Sequence, residues 1–332
     1  MSKTKVLVVG DVTTDAFIKL ADQYEHTYNN EDGLWLALPF GKKIPFDGAE
    51  VVEAEGNAGN AATSFARLGI SCGLVSNVGD DQHGADIIKT LKNEDINTEF
   101  VVQNPKKRTN YNYILRFKAE RTILVNNEHY DYLWPEIKQD DAPTWVYFSS
   151  VSKNALPFHD DLADWLAKNP DVKLAFQPGT FQIEEGASRL KKLYKRCSVL
   201  VLNREEAVIV GGGDHKNVHD LFDKLHALGP KTVLISDGPK GAYASGPEGR
   251  FFMPIYPDPS PPVERTGAGD AFASTFVAAL IKGESMQDAM RWGPINSMNV
   301  VQHVGAHAGL MTEAQLTTLL KNAPDWYKPS KM

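Results

Sequence analysis

The sequence predicts an α/β fold of three layers, α/β/α, with a mostly parallel central sheet and a small β-sheet lid. Three observations predict it. Short apolar, β-branched runs recur along the chain. Amphipathic stretches of helical length lie between them, and two regions rich in aromatics, Gly and Asn break the alternation.

The runs are Val6–Val9, Trp145–Phe148, Leu174–Phe176, Val199–Leu202 and Thr232–Ile235. Each is bounded by polar, Gly or Pro residues and is apolar on both faces, as a strand covered by helices on both sides requires. Leu156 to Ala167 and Val218 to Leu228 supply covering helices. From Gly269 onward the pattern changes, and Asp270 to Ile281, Met286 to Val304 and Glu313 to Leu320 read as consecutive helices with Gly breaks. Residues 16–54 have no helical period. Residues 108–128 read as a hairpin, Asn110–Phe117 and Thr122–Val125 around a polar turn at Lys118-Ala119-Glu120, with one apolar and one wet face. Both regions read either as parts of a lid projecting from the main sheet or as ordinary surface excursions. No repeat or linker divides the chain, so residues 1–332 are expected to form one domain.

The 332 residues are 42% hydrophobic and 23% charged, enough for one large core or two smaller ones. A net charge of −7 and a pI of about 5.7 give no long-range pull toward nucleic acid or an anionic membrane. No apolar run approaches the ~18 residues of a spanning helix. Met1-Ser2-Lys3-Thr4-Lys5 leads straight into the first strand without a secretory pattern, so the expected address is the cytoplasm. Cys72 and Cys197 lie far apart with no CxxC pair and read as buried free thiols. The His residues show no metal-ligand spacing.

A proline cluster, Pro257 to Pro262, delivers the chain to Thr266-Gly267-Ala268-Gly269-Asp270, which opens a helix of small residues. The glycines let backbone N–H groups turn inward together, and the helix directs its positive end at the same spot. A phosphate, or the charge developing on a phosphoryl group in flight, is stabilised there. Anion binding does not explain Asp270, because a carboxylate repels a resting anion. A hydroxyl nucleophile needs a nearby base, and Asp270 is placed to be one. The alternative is an N-cap on a tight turn.

The string resembles the C-terminal signature of the ribokinase-like (PfkB) family of carbohydrate and nucleoside kinases. The resemblance implies a ribokinase-like fold, an anion hole at Gly267, Ala268 and Gly269, Asp270 as catalytic base, and ATP with Mg²⁺. A second signature is similar to Glu55-Gly56-Asn57-Ala58-Gly59-Asn60. It implies sugar contacts from Gly56, Asn57 and Asn60, although Glu55 stands where the family usually has a first glycine. Asp15 in Val9-Gly10-Asp11-Val12-Thr13-Thr14-Asp15 matches the family's sugar-binding acid, and Asp11 reads as a turn or cap residue. No GxGxxG follows that strand, which disfavours a nicotinamide oxidoreductase.

Asn203 and Glu206 match the family's NxxE element. The match implies Asn203 near ATP and Glu206 on Mg²⁺ through water, with simple helix capping as the alternative. Ser236, Gly238 and Gly241 resemble the segment that passes over the nucleotide, where Lys240 is a contact or a solvated turn residue. Thr266 and Asn299 are also assigned to ATP, with Asn296 and His303 in the part of the chain that lines the adenine pocket in the family. Gln177, in Phe176 to Thr180, falls in a substrate-side loop where an Asp or Asn is often found. In the hairpin, Asn110, Tyr111, Tyr113 and Arg116 face the sugar or pack cross-strand. Some relatives bind a monovalent cation near the glycine loop. Glu264-Arg265 replaces the usual preceding residues here, which weakens a potassium expectation and sets a cation beside the anion hole if Arg265 points inward.

The resemblance implies ATP-dependent phosphorylation of a primary hydroxyl on a sugar or sugar-like substrate. A nucleoside kinase of the same fold and a non-catalytic sugar- or nucleotide-binding regulator are the alternatives. Ribose, fructose, other ketoses, keto-sugar acids and nucleosides all stay open, and Lys107, Arg108 and Arg116 allow a phosphorylated substrate. A bare hairpin edge suggests a homodimer through the lid.

Overall fold

The structure, a computed structural model, describes residues 4–332 except 22, 24, 25, 32 and 119. Met1, Ser2 and Lys3, and the turn residue Ala119, lie outside the described residues.

Strand β1 (Val6–Val9) is buried at every position. Side chains alternate across a strand, so Val6 and Val8 enter one apolar cluster while Leu7 and Val9 enter another. The chain then leaves the main sheet through β2 (Thr13–Leu20), β3 (His26–Asn30), β4 (Gly33–Ala37) and β5 (Phe46–Glu55). It returns by α1 (Gly56–Arg67), β6 (Cys72–Gly79), α2 (Gln82–Asn93) and β7 (Val101–Asn104), and leaves again as the hairpin β8 (Tyr111–Phe117) and β9 (Glu120–Leu124). Regular alternation follows through β10 (Trp145–Phe148), α3 (Leu156–Lys168), β11 (Lys173–Phe176), α4 (Thr180–Glu185), α5 (Lys191–Arg196) and β12 (Cys197–Asn203). It continues through α6 (Arg204–Gly211), α7 (Val218–Leu228) and β13 (Thr232–Ser236) to a meander of β14 (Ala242–Gly246) and β15 (Gly249–Met253). Helices α8 (Ala268–Lys282), α9 (Met286–Val300), α10 (Ala306–Gly309) and α11 (Glu313–Lys321) precede the short β16 (Ser330–Lys331).

Ten strands form the main sheet in the order β16-β15-β14-β13-β12-β11-β10-β1-β6-β7. From β7 to β13 neighbours are parallel, and β14, β15 and β16 add antiparallel pairs. Phe65 of α1, Leu91 of α2, Phe276 of α8, Met290 of α9 and Leu316 of α11 cover one face; Leu162 of α3, Leu193 of α5, Ala207 of α6 and Leu225 of α7 cover the other. This is the three-layer arrangement. Burying each Phe, Leu or Met contributes about 1.5–3 kcal/mol relative to leaving it exposed. Chain order reverses on either side of β1, and a crevice opens at the carboxyl ends of the strands at such a point.

A second sheet runs β5-β2-β8-β9, with β2 antiparallel to β5 and parallel to β8. The β3–β4 hairpin is a separate two-stranded sheet, so residues 16–54 do not form one piece. The run from Met286 to Val304 is likewise interrupted, since α9 ends at Val300. The Val301 carbonyl accepts the N–H groups of Val263 (2.8 Å) and Glu264 (3.3 Å), which draws the helix end toward the segment before the glycine loop. Cys72 and Cys197 are free and buried. Among the described residues no helix is long and apolar enough to cross a membrane.

Candidate active site

The site is built where α1 and α8 meet. A Cβ on Gly59 would lie 1.9 Å from the Ala54 carbonyl oxygen, so only glycine lets the first turn of α1 sit this close to the end of β5. Asn57 and Asn60, three residues apart, then share a helix face. Helix α8 places Asp270 before that face. Asn57 Nδ2 donates to Asp270 Oδ1 at 2.7 Å, and Asn60 Nδ2 donates to Oδ2 at 2.8 Å. From the end of β11, Gln177 Nε2 donates to Oδ1 at 3.0 Å. The hydroxyl of buried Tyr147 in turn donates to Gln177 Oε1. A buried carboxylate is thus held by neutral amides, and among the described residues no cation is hydrogen-bonded to it.

Burial raises the Asp270 pKa, and the bonds from Asn60, Asn57 and Gln177 and the field of Arg121 oppose that rise. A carboxylate made more basic by its surroundings suits proton abstraction. Asp270 is not the N-cap of α8. Gly267 holds that position at φ +76°, and a Cβ there would meet Ala306 Cβ at 2.2 Å. As first-turn residues, Gly269 and Asp270 have no intrahelical acceptor for their N–H groups.

On the β2 side, Asp15 accepts from Thr13 Oγ1 at 2.7 Å and from Asn112 Nδ2 at 2.9 Å. Burial first, then the fields of Glu264 and Asp270, push its pKa up to about 6. Asn112 was not marked in the sequence. Two-residue alternation sets it with buried Ile114, opposite Tyr111 and Tyr113, and that signal was available. Tyr113 is exposed, and Tyr111 packs on His83 of α2 and on Tyr113 of its own strand, which is neither a contact to the Asp270 cluster nor a cross-strand pair. Asn110 is fully buried; its side-chain oxygen accepts from the Glu128 N–H at 2.8 Å, and its Nδ2 has no partner. Arg116 Nη2 donates to the Val263 carbonyl at 3.3 Å. Neither Asn110 nor Arg116 bonds to the Asp270 cluster.

Gly56, at φ +85°, packs against the Asp11 carbonyl and Thr13. Glu55 is fully buried. Its Oε1 accepts from the Ala306 N–H at 2.9 Å, so it ties the start of α1 to the segment behind Gly267. Its Oε2 is buried without a partner, and burial holds its pKa well above the usual carboxylate range.

A cavity of about 420 Å³ lies on the other side of the glycine loop, lined by Ser236, Gly238, Gly241, Arg265, Ala268 and Gly269 among others. Pro294, Ser297 and Met298 of α9, with Val301 just past its end, supply the helical wall. Asn299 does not line it and instead donates Nδ2 to the Gly309 carbonyl at 2.7 Å. Asn296 is buried on Thr275 at 2.8 Å. Helical phase is the reason: 297, 298 and 301 share one face, and 296 and 299 point elsewhere. Lys240 is exposed beside Asp237 and lines no part of the cavity. Thr266 donates its N–H (2.9 Å) and Oγ1–H (2.6 Å) to Glu264.

Asn203 and Glu206 form a capping box. The Glu206 N–H donates to Asn203 Oδ1 and the Asn203 N–H to Glu206 Oε2, each at 2.8 Å. Asn203 is the register partner of cavity residue Ser236. Burial raises the Glu206 pKa, and the field of Asp270 adds to it. Among the described residues no group of three or more His, Cys, Asp or Glu could hold a metal. A Mg²⁺ ion that keeps its waters and takes phosphate oxygens needs only one carboxylate, so Glu206 fits such an ion. Arg121, also unmarked in the sequence, brings its Nε to 3.8 Å from Glu264 Oε1.

A family model described as pfkB family carbohydrate kinase matches residues 48–313. An uncharacterized sugar kinase of Archaeoglobus fulgidus is 24% identical over 250 residues, covering 74% of this chain and 97% of that protein. A 5-dehydro-2-deoxygluconokinase of Listeria innocua is 27% identical over 286 residues, covering 81% of this chain and 86% of that protein. Among solved structures, the ribokinase of Arabidopsis thaliana, complexed with ribose and ATP, superposes with a TM-score of 0.77. It is 21% identical and covers 97% of this chain and 99% of its own.

Proposed function

The chain belongs to the pfkB family of carbohydrate kinases, and from that premise we propose that it transfers the γ-phosphoryl group of ATP to a primary hydroxyl of a sugar or sugar-like substrate. One observation carries the reading. The buried Asp270 carboxylate, gripped by Asn57, Asn60 and Gln177, directly follows cavity residue Gly269 and is close enough to Asp15 for its charge to raise that residue's pKa.

In this reading the sugar's diol bonds to Asp15, which Thr13 and Asn112 orient. ATP occupies the cavity, with its phosphates toward Ala268 and Gly269. Asp270 takes the proton of the attacking hydroxyl as its oxygen bonds to the γ-phosphorus, and ADP leaves. The backbone N–H groups of residues 267–269 hold the transferring charge. Mg²⁺ supplies charge neutralisation at the phosphates, with Glu206 holding it through water. The sheet β5-β2-β8-β9 acts as a lid that excludes water and limits ATP hydrolysis, within one domain. A cytoplasmic location goes with ATP as the donor.

The lid also supports a homodimer. Tyr113 and its register partner Leu124 are about half exposed, at 48% and 51%, and β9 is an edge strand. Light scattering reads this, with a strict monomer removing the dimer.

The function is tested by an ADP-release screen over ribose, fructose, other ketoses, keto-sugar acids and nucleosides, with and without potassium. Release that depends on one sugar class supports the reading. Release with nucleosides alone shifts it to a nucleoside kinase. Binding of sugar or nucleotide without turnover on the whole panel replaces it with a regulator.

A further inference from the structure

We propose that Arg265 is a phosphate-binding residue that the nucleotide shares with the lid, so that ATP takes its guanidinium from Glu120. The proposal rests on the reading that ATP occupies the cavity beside Gly269. Among the described residues lining that cavity, Arg265 is the one Lys or Arg, and Asp258 the one Asp or Glu. A triphosphate entering there meets the dipole of the loop and a single fixed cation.

The guanidinium is only loosely held. Arg265 Nε lies 3.3 Å from Glu120 Oε1, yet it makes no aligned hydrogen bond and is itself buried. The ion pair is a matter of proximity, and the donor is unsatisfied. The Glu120 side chain is 69% exposed, and water screens such a pair strongly. A phosphate oxygen carries more charge and accepts from the planar fork in two-point geometry, which a Glu at this angle does not do. Phosphate therefore outcompetes Glu120.

The consequence reaches the lid. Glu120 opens β9, and the same hairpin touches the segment before the glycine loop twice more, through Arg121 on Glu264 and Arg116 on the Val263 carbonyl. ATP removes one of these three ties and leaves two. Linkage makes the effect reciprocal, so holding Arg265 on Glu120 weakens ATP to the extent that ATP weakens that tie.

Calorimetric titration of Mg·ATP into the wild type, Arg265→Gln, Glu120→Gln and the double variant tests this. Arg265→Gln is expected to raise the ATP Kd about tenfold or more. Glu120→Gln, by freeing the guanidinium, should lower it about two- to fivefold. The double variant should match Arg265→Gln alone, because Glu120 reaches the cavity through Arg265, its other pair being a 4.0 Å one with Arg121 of its own hairpin. Arg265→Lys should recover part of the loss. Unchanged affinity in Arg265→Gln, or a gain from Glu120→Gln that persists in the double variant, overturns the proposal while leaving the kinase reading intact. A wild type that binds no ATP overturns both. Equal melting temperatures across the set exclude unfolding as the cause.

Discussion

Gln177 donates its side-chain amide to the Asp270 carboxylate across 3.0 Å, and Tyr147 fixes that amide from beneath. A hydrogen bond to the ionised form lowers a carboxylate's pKa and here opposes burial. Gln177→Leu removes it. The acid limb of the kcat/KM profile, which reports the free enzyme's base, should then move to higher pH. Tyr147→Phe should move it the same way by less. A limb that stays in place in both variants would show that Gln177 only fills space.

The two loop glycines should respond differently to alanine. Gly267→Ala brings a Cβ onto Ala306 at 2.2 Å and strains a positive φ, so both melting temperature and turnover should fall. A Cβ on Gly269 meets nothing within 4 Å and enters the cavity. Gly269→Ala should therefore melt like the wild type and lose about 10²-fold or more in kcat/KM for ATP. Thermal melts paired with kinetics check this; full activity in Gly269→Ala would remove the loop from the phosphoryl path.

Burial first, and the nearby Asp15 and Asp270 charges with it, raise the Glu55 pKa well above the usual carboxylate range and so favour its neutral form. Glu55→Gln keeps an acceptor for the Ala306 N–H and should shift unfolding free energy by less than about 1 kcal/mol. Glu55→Ala leaves that N–H unsatisfied and a cavity behind it, at about 2–3 kcal/mol. Denaturant titrations that find the two variants equally destabilised contradict a neutral Glu55.

Asp11 gives a pH-dependent stability of defined sign. Burial lifts its pKa from 3.8 to about 7, despite the bond from Tyr132 at 2.7 Å. Between those values the folded chain holds a proton that the unfolded chain has released. Its stabilising contribution is therefore complete below about pH 3.8 and is lost as pH rises to about 7. Asp11→Asn should flatten the decline from pH 5 to 7 by up to about 1.4 kcal/mol per pH unit. Parallel pH slopes in the two proteins would contradict the shift.

The layers were legible because the five runs that became β1, β10, β11, β12 and β13 are apolar on both faces, as Val6–Val9 shows residue by residue, whereas β6 is as buried but carries Ser76 and Asn77 and shows no such run. Asp270 was legible because a carboxylate is out of place in an anion cradle. The partners of that carboxylate were harder to read. Asn57 and Asn60 stood out by spacing, but their hydrogen bonds to a residue more than 200 positions away depend on how α1 meets α8. Gln177 and Asn112 come from strand ends whose neighbours only the sheet order defines. The position of Asn299 off the cavity was not readable, because α9 presents Pro294, Ser297 and Met298 there, and the phase of a largely buried helix leaves little polar pattern to read. Arg121 and Arg265 gained meaning only once the hairpin folded over residues 263–265.

The central claim is that Asp270 is the general base. The measurement that tests it most directly is single-turnover phosphoryl transfer by Asp270→Asn, with ATP binding measured on the same preparation. Asn keeps the shape and the hydrogen-bonding side chain but cannot take a proton at neutral pH. The account predicts ATP affinity within about twofold of wild type and transfer slowed by about 10²–10⁴-fold. Transfer at the wild-type rate would contradict it.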